Sequence, residues 1–269
     1  MTKATVCFVV VVFMLLYSPT AVFSGEDEEA VFTWRRKEMV EATIKHRGVS
    51  DPAVLAATQK VRRHLFVPPS MKNVAYADSP LPIGYGQTIS QPYIVAVMTE
   101  LLHLKKGDKI LEVGAGSGYQ AAVLAEIING VYTMEIIKEL GDSAGERLEK
   151  LGYQNIEVKV GDGYFGWPER APYDGIIVTA AATHIPPPLI EQLKPGGRMV
   201  IPVGPVFYVQ YLMLVEKLSD GSVIQQKIMP VRFVPLTAED APGLPGVSGA
   251  VPARVVTGHG QVAERSEVP

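Results

Sequence analysis

One cysteine in 269 residues leaves this chain with no way to staple itself. Cys7 cannot form an internal disulfide and has no C-x-x-C neighbour, which removes redox pairs and cysteine-rich zinc sites. The five histidines form no cluster with carboxylates at ligand spacing, so no metal is expected. Basic charge is short as well. With 25 lysines and arginines against 28 acids the formal net charge is −3, and nothing points to a nucleic-acid backbone as a partner, although a local basic groove stays open. The apolar run at 6–17 falls short of the roughly 20 residues a spanning helix needs. No internal repeat is present. What remains is an ordinary globular composition, 47% hydrophobic and 20% charged, with length for one good-sized core.

The two ends read differently from the middle. In residues 1–24, Lys3 precedes the apolar run and small residues lead to Val22-Phe23-Ser24, the pattern of a secretory signal. An uncleaved anchor running through Phe23 is the alternative. Residues 237–269 hold no aromatic side chain and repeat Pro and Gly, so they read as a disordered tail. The expected domain is 25–236, divided into N-terminal helices and a substrate loop (25–107), a cofactor-binding core (108–203) and C-terminal strands (204–236).

The core is organised around Lys109-Ile110-Leu111-Glu112-Val113-Gly114-Ala115-Gly116-Ser117-Gly118-Tyr119. Its apolar run predicts a buried parallel strand, its glycines a tight turn, and residues 120–125 a helix. A dinucleotide fingerprint needs G-x-G-x-x-G, whereas here the spacing is G-x-G-x-G and Tyr119 stands in place of the last glycine, so a nicotinamide cofactor is disfavoured. Glu112 would repel a phosphate and suits a cation. S-adenosylmethionine carries an amino group and a sulfonium, and E-x-G-x-G-x-G after a strand resembles the first motif of the methyltransferases that use it. A structural turn is the plainer alternative.

About twenty residues on, a second strand should end in an acid for the ribose hydroxyls. Val131-Tyr132-Thr133-Met134-Glu135 ends in one, and a helical spacing resumes over 139–151. A third strand at 156–160 leads into Gly161-Asp162-Gly163, where Asp162 and Gly163 could meet the adenine or form an ordinary Asp-Gly turn. A buried strand at 173–179, small residues at 180–182, a helix opened by Pro186-Pro187-Pro188 and a strand at 199–203 complete the alternation. The runs 209–217 and 223–231 flank Ser219-Asp220-Gly221 as a hairpin. The fold class expected is α/β, a doubly wound Rossmann-like sheet with N-terminal helices and C-terminal strands.

Before the core, 34–46 has the spacing of an amphipathic helix closed by Gly48, after an acidic link at 26–29. Asp51-Pro52 caps a second helix to Val61. Arg62, Arg63 and His64 invite anion binding, but a solvated basic turn is the preferred reading. Residues 76–93 form a proline- and glycine-rich loop with aromatics, the composition of a functional loop. Ser90 reads as the N-cap of a helix to about His103, with Pro92 in the first turn. His184 is read as a loop histidine at the pocket mouth.

Gly-Gln-Thr-Ile-Ser-Gln-Pro at 86–92, Glu-Val-Gly-Ala-Gly-Ser-Gly-Tyr at 112–119 and Pro-Val-Arg-Phe-Val-Pro-Leu at 230–236 closely resemble the protein-L-isoaspartate O-methyltransferase family. Arg47-Gly48-Val49 and His64-Leu65-Phe66-Val67-Pro68 agree, and the similarity spans 36–236. Arg62 departs from it, since members commonly have proline before a basic residue. The resemblance implies methyl transfer from S-adenosyl-L-methionine to the carboxylate of isoaspartyl residues in damaged proteins and peptides. It implies Ser90 as the catalytic residue. It places Glu112, Gly114, Gly116, Ser117, Gly118, Glu135, Asp162 and Gly163 at the cofactor, and His64, Thr88, Ile89, Ser90, Val231, Arg232 and Phe233 at the substrate.

The implied chemistry is economical. A carboxylate with a pKa of about 4 is ionised at neutral pH and needs no general base, so positioning suffices. The expected protein is monomeric, without nucleic-acid or stable membrane partners, and cytoplasmic because its cofactor is made there. An exported or membrane-anchored form through residues 1–24 is the alternative. A methyltransferase for another acceptor and a catalytically silent binding module are the other functions in view.

Overall fold

The computed structural model describes residues 25–205 and 208–236. The signal-like segment 1–24, with Cys7, and the tail 237–269 lie outside the described residues. Among the described residues no helix is long and apolar enough to cross a membrane.

Helix α1 (Gly25–Glu38) begins at Gly25 rather than at Trp34 and runs into a π-helical turn, Met39–Lys45. The residues expected as an acidic link belong to it. Carboxylates early in a helix oppose the positive end of its dipole, so acid-rich sequence there favours helix over link. Met39, Val40 and Ile44 are buried, as their spacing requires. Gly48 has φ +100°. Asp51 accepts the N–H groups of Ala53 and Val54 at the start of α2 (Pro52–Lys60), a cap with proline behind it.

The loop at 76–93 contains a hairpin the composition did not reveal. Strands β1 (Leu81–Gly84) and β2 (Gln87–Ile89) pair antiparallel around Tyr85 and Gly86, both at positive φ. A tyrosine with φ +52° is an uncommon turn former, which is why a proline-rich stretch hid the strands. Helix α3 (Pro92–Leu101) follows, and Ser90 does not cap it. The cap is Gln91, whose side chain makes no capping bond, and Asp78 supplies the missing acceptor to Tyr93 N–H at 3.1 Å.

The seven-stranded sheet runs in the order β5-β4-β3-β6-β7-β8-β9. Its members are β3 (Lys109–Val113), β4 (Gly130–Glu135), β5 (Ile156–Val160), β6 (Tyr173–Val178), β7 (Leu193–Val203), β8 (Gln210–Lys217) and β9 (Val223–Val231). The first five in that order are mutually parallel, and β8 and β9 are antiparallel additions. Helices α4 (Tyr119–Ala125), α5 (Lys138–Lys150) and α6 (Pro187–Gln192) complete the chain. β7 starts at Leu193, ahead of the expected strand at 199–203, with a register shift against β6.

Successive strand residues face two different cores. Ile110, Ile177 and Val200 pack with the N-terminal helices, α3 and α4, whereas Leu111, Ile176 and Met199 pack with Trp167 and Leu189 on the other face. A sheet covered on both faces explains continuous apolar runs in place of alternation. Strand order reverses between β3 and β6, and at such a switch point the carboxyl ends of the strands leave a crevice.

Candidate active site

Strand β3 delivers the glycine turn to that crevice. Gly114 has φ +101°, and a Cβ there would lie 2.3 Å from Thr179 Oγ1, which donates to Gly114 O at 2.6 Å. Gly118, at φ +85°, is the N-cap of α4, and a side chain there would meet Leu148. Gly163 lies under Val113, whose Cγ1 would be 2.3 Å from an added Cβ. Packing inside the protein is therefore enough to require glycine at Gly114 and Gly163, and the left-handed backbone favours it at Gly118, without a ligand. Gly116 differs. Only Ile83 Cδ1, at 3.2 Å, is near its Cβ position, and its N–H donates to Glu135 Oε2 at 2.8 Å.

Glu135, at the end of β4, accepts Ile137 N–H on its other oxygen at 3.0 Å, so one carboxylate ties the glycine turn to the start of α5. It lines a cavity of about 60 Å³ with Gly114, Gly116, Gly163 and Ala180. Asp162 accepts Tyr164 N–H at 2.8 Å and caps the short turn after β5. Ser117 is buried, and its carbonyl accepts from Arg147 of α5 at 2.9 Å.

Glu112 is fully buried. Thr133 Oγ1 donates to its Oε2 at 2.5 Å, while Oε1 has no partner among the described residues. Burial first, and the charge of Glu135 after it, push the carboxyl up to about 8 against the Thr133 bond. At neutral pH the side chain is mostly a neutral acid, not the standing anion that the sequence suggested. Glu112 lines a cavity of about 40 Å³ together with Ser90, Gly116, Ser117 and Thr179. Such a group fits a ligand that brings a positive charge, since a cation against Oε1 restores the ionised form.

A stability test follows from that burial. Between about pH 4.5 and pH 8 the folded chain holds a proton on Glu112 that the unfolded chain has lost, so stability falls as pH rises through this window. Glu112→Gln removes the difference. Between about pH 5.5 and 8.5, urea unfolding should show the native chain losing more stability, or gaining less, than the variant, and an equal change in both would refute the assignment. His64 titrates identically in both proteins and cancels in the comparison.

The large feature is a groove of about 760 Å³. Thr88, Ser90 and Thr179 line its inner end, and Val231, Arg232 and Phe233 one wall. Thr88 and Thr179 also line both smaller cavities, so the groove and the glycine-turn cavities adjoin at these two residues. A nucleoside-sized ligand needs on the order of 300 Å³, and its room has to come from these joined spaces. Ile89 is buried in the core and also lines the smallest of these cavities, between Thr88 and Ser90. Among the described residues, Ser90 has no hydrogen-bond partner for its hydroxyl, because Asp78 has taken over the capping.

His64 is not at the groove. It is 3% exposed, stacked on Phe32 of α1 at 4.1 Å, with Nδ1 2.7 Å from the Tyr76 hydroxyl. Burial pushes it down to about 4, against the pull of Glu29. Arg63 is fully buried, with Nε donating to Ala75 O at 2.7 Å. Of the expected solvated basic turn only Arg62 is exposed, since Phe32 of α1 stacks on His64 and Arg63 lies against Ala75 and the Tyr119 ring. His184 is exposed, with Nε2 3.1 Å from the Tyr164 hydroxyl.

Sequence reasoning missed three residues. Asp78 accepts from Arg47, Gln91 and Tyr93, holding the substrate loop on α3. Thr179 locks the glycine turn, and its place at the end of a central strand was the available signal. Gln210, the first residue of β8, gave none.

Comparison with known proteins places this architecture. Residues 34–241 match the family described as protein-L-isoaspartate(D-aspartate) O-methyltransferase. The chain is 63% identical over 203 residues to protein-L-isoaspartate O-methyltransferase 1 of Nitrosospira multiformis, covering 75% of this chain and 86% of that protein. To protein-L-isoaspartate O-methyltransferase 2 of Syntrophobacter fumaroxidans it is 51% identical over 241 residues, covering 87% and 98%. A solved structure from Plasmodium falciparum, assigned as a protein-L-isoaspartate O-methyltransferase and in complex with S-adenosyl-L-homocysteine, superposes with a TM-score of 0.66 at 26% identity. The match covers 75% of this chain and 98% of that one.

Proposed function

The chain belongs to the protein-L-isoaspartate(D-aspartate) O-methyltransferase family, and from that membership we propose how its residues divide the work. The enzyme transfers a methyl group from S-adenosyl-L-methionine to the free carboxylate of L-isoaspartyl residues in damaged proteins and peptides, starting their repair. When bound, the cofactor supplies an electrophilic methyl on a sulfonium. Everything else falls to the protein.

Glu135 holds the ribose hydroxyls, Glu112 receives the positive end through its open oxygen, and Gly114, Gly116 and Ser117 bring backbone close to the ligand. Gly118, Asp162 and Gly163 shape the site from behind. The acceptor peptide lies in the groove against Val231, Arg232 and Phe233, with its carboxylate at Thr88 and Ser90. The observation that carries this reading is the position of Ser90, which lines both the groove and the glycine-turn cavity at Glu112 and whose hydroxyl has no partner among the described residues. An ionised acceptor needs orientation and removal of water, and a neutral hydroxyl supplies the first without taking a proton.

Cofactor supply supports action in the cytoplasm, with export or anchoring through residues 1–24 as the alternative. We read the protein as a monomer without nucleic-acid or stable membrane partners, and residues 25–236 as the catalytic unit. The deciding experiment pairs an isoaspartyl peptide with its normal aspartyl twin. Labelled methyl should reach the first and not the second, and equal transfer to both would reject the acceptor assignment.

A further inference from the structure

Residues 231–236 serve two cavities at once. β9 ends at Val231, opposite Gln210 of β8, and the chain then crosses the carboxyl ends of the sheet to Ala181. There Ala181 N–H donates to Val234 O and Leu236 N–H donates to Ala181 O, each at 2.8 Å. On the way, Arg232, Phe233 and Val234 line the groove, and Val234, Pro235 and Leu236 line the cavity at Glu135.

Between those ends Phe233 has no strand to pair with, because β8 begins only at Gln210. The Gln210 side chain stands in for it. Its Oε1 accepts Phe233 N–H at 2.6 Å and its Nε2 donates to Phe233 O at 3.2 Å, the two bonds a further strand residue would make. Gln210 is 1% exposed and lines neither cavity, so its reach into the site runs through Phe233. Gly204 gives it room, since a Cβ there would lie 2.9 Å from Gln210 Cα.

We infer that Gln210 is a positioning residue that holds the groove wall at Arg232, Phe233 and Val234 in register with Ser90, and so sets the affinity for the acceptor peptide. The cofactor side, pinned separately at Ala181, is left unaffected. The inference rests on the groove being the isoaspartyl site.

Gln210→Glu tests it through pH. An ionised carboxylate still accepts Phe233 N–H but turns an oxygen toward Phe233 O. Once protonated, it donates again as the amide did. The variant's KM for an isoaspartyl peptide should exceed the native value by about tenfold or more near pH 8. That ratio should shrink toward one near about pH 6, because burial raises the acid's pKa. Gln210→Leu should show a raised KM with no such pH dependence. In both, the Kd for S-adenosylhomocysteine should stay within about twofold of native.

An unchanged KM for Gln210→Glu near pH 8 would overturn the inference, as would a cofactor Kd that climbs in step with KM. If Gln210→Leu does not fold, the pH dependence of Gln210→Glu decides alone. Failure of the native protein to methylate the peptide would strike the groove reading itself. Native turnover with unaltered variants would strike only Gln210.

Discussion

Ser90→Ala is expected to lower turnover about a hundredfold, the scale of losing one preorganised donor at an oxygen that must be held in line. The affinity for S-adenosylhomocysteine should stay nearly intact, because Glu135 and the glycine turn are untouched. The shape of the pH profile should not change either, since the acceptor arrives ionised and the hydroxyl takes no proton. Asp78, rather than Ser90, satisfies the amide of Tyr93 at the start of α3, so the substitution carries no capping loss and stability should move by no more than about 0.5 kcal/mol. Ser90→Asn adds an independent arm by placing a larger amide at the same point, and its turnover should also fall. Native turnover in either stably folded variant would remove Ser90 from the reaction.

Glu135→Ala should weaken S-adenosylhomocysteine binding by about 3 kcal/mol, close to a hundredfold in Kd. Two losses add here. The ligand loses a charged acceptor, and the N–H groups of Gly116 and Ile137 lose the carboxylate that holds them at 2.8 and 3.0 Å. The second loss loosens the apo protein as well, so the comparison belongs at a temperature where both proteins are folded. An unaltered Kd there would take Glu135 out of the site. Together the two variants separate the halves of the reaction, turnover falling with affinity kept at Ser90 and affinity falling at Glu135.

The parts of the site that could be read from the chain alone are those built by local rules. A strand, a glycine turn and a helix occupy consecutive residues, and the next strand must return alongside, so the interval from Gly114 to Glu135 is set by the length of one crossover. The same logic carried the strand at 156–160 and the hairpin around Ser219-Asp220-Gly221, where turn chemistry and apolar runs sit next to each other. Thr88 and Ser90 were reached through a resemblance rather than through spacing, since a short proline-containing hairpin with a tyrosine at positive φ has no plain sequence signal.

What only the tertiary structure decided is how each polar group is satisfied, because its partner lies far away in sequence. Ser90 looked like a cap until Asp78 took that bond. His64 and Arg63 looked solvated until α1 and the residues around Tyr76 closed over them. Glu112 looked like a standing anion until a sheet covered on both faces removed its water. Gln210 looked like nothing until Phe233 came within 2.6 Å. The sequence by itself determined the alternation of strands and helices from residue 109 onward, the glycine turn and the acid that follows it, since these depend on periodicity and on neighbours a few residues apart. Desolvation and long-range hydrogen bonds depend on which surfaces meet, and those are settled only when the sheet is assembled and the N-terminal helices pack onto it.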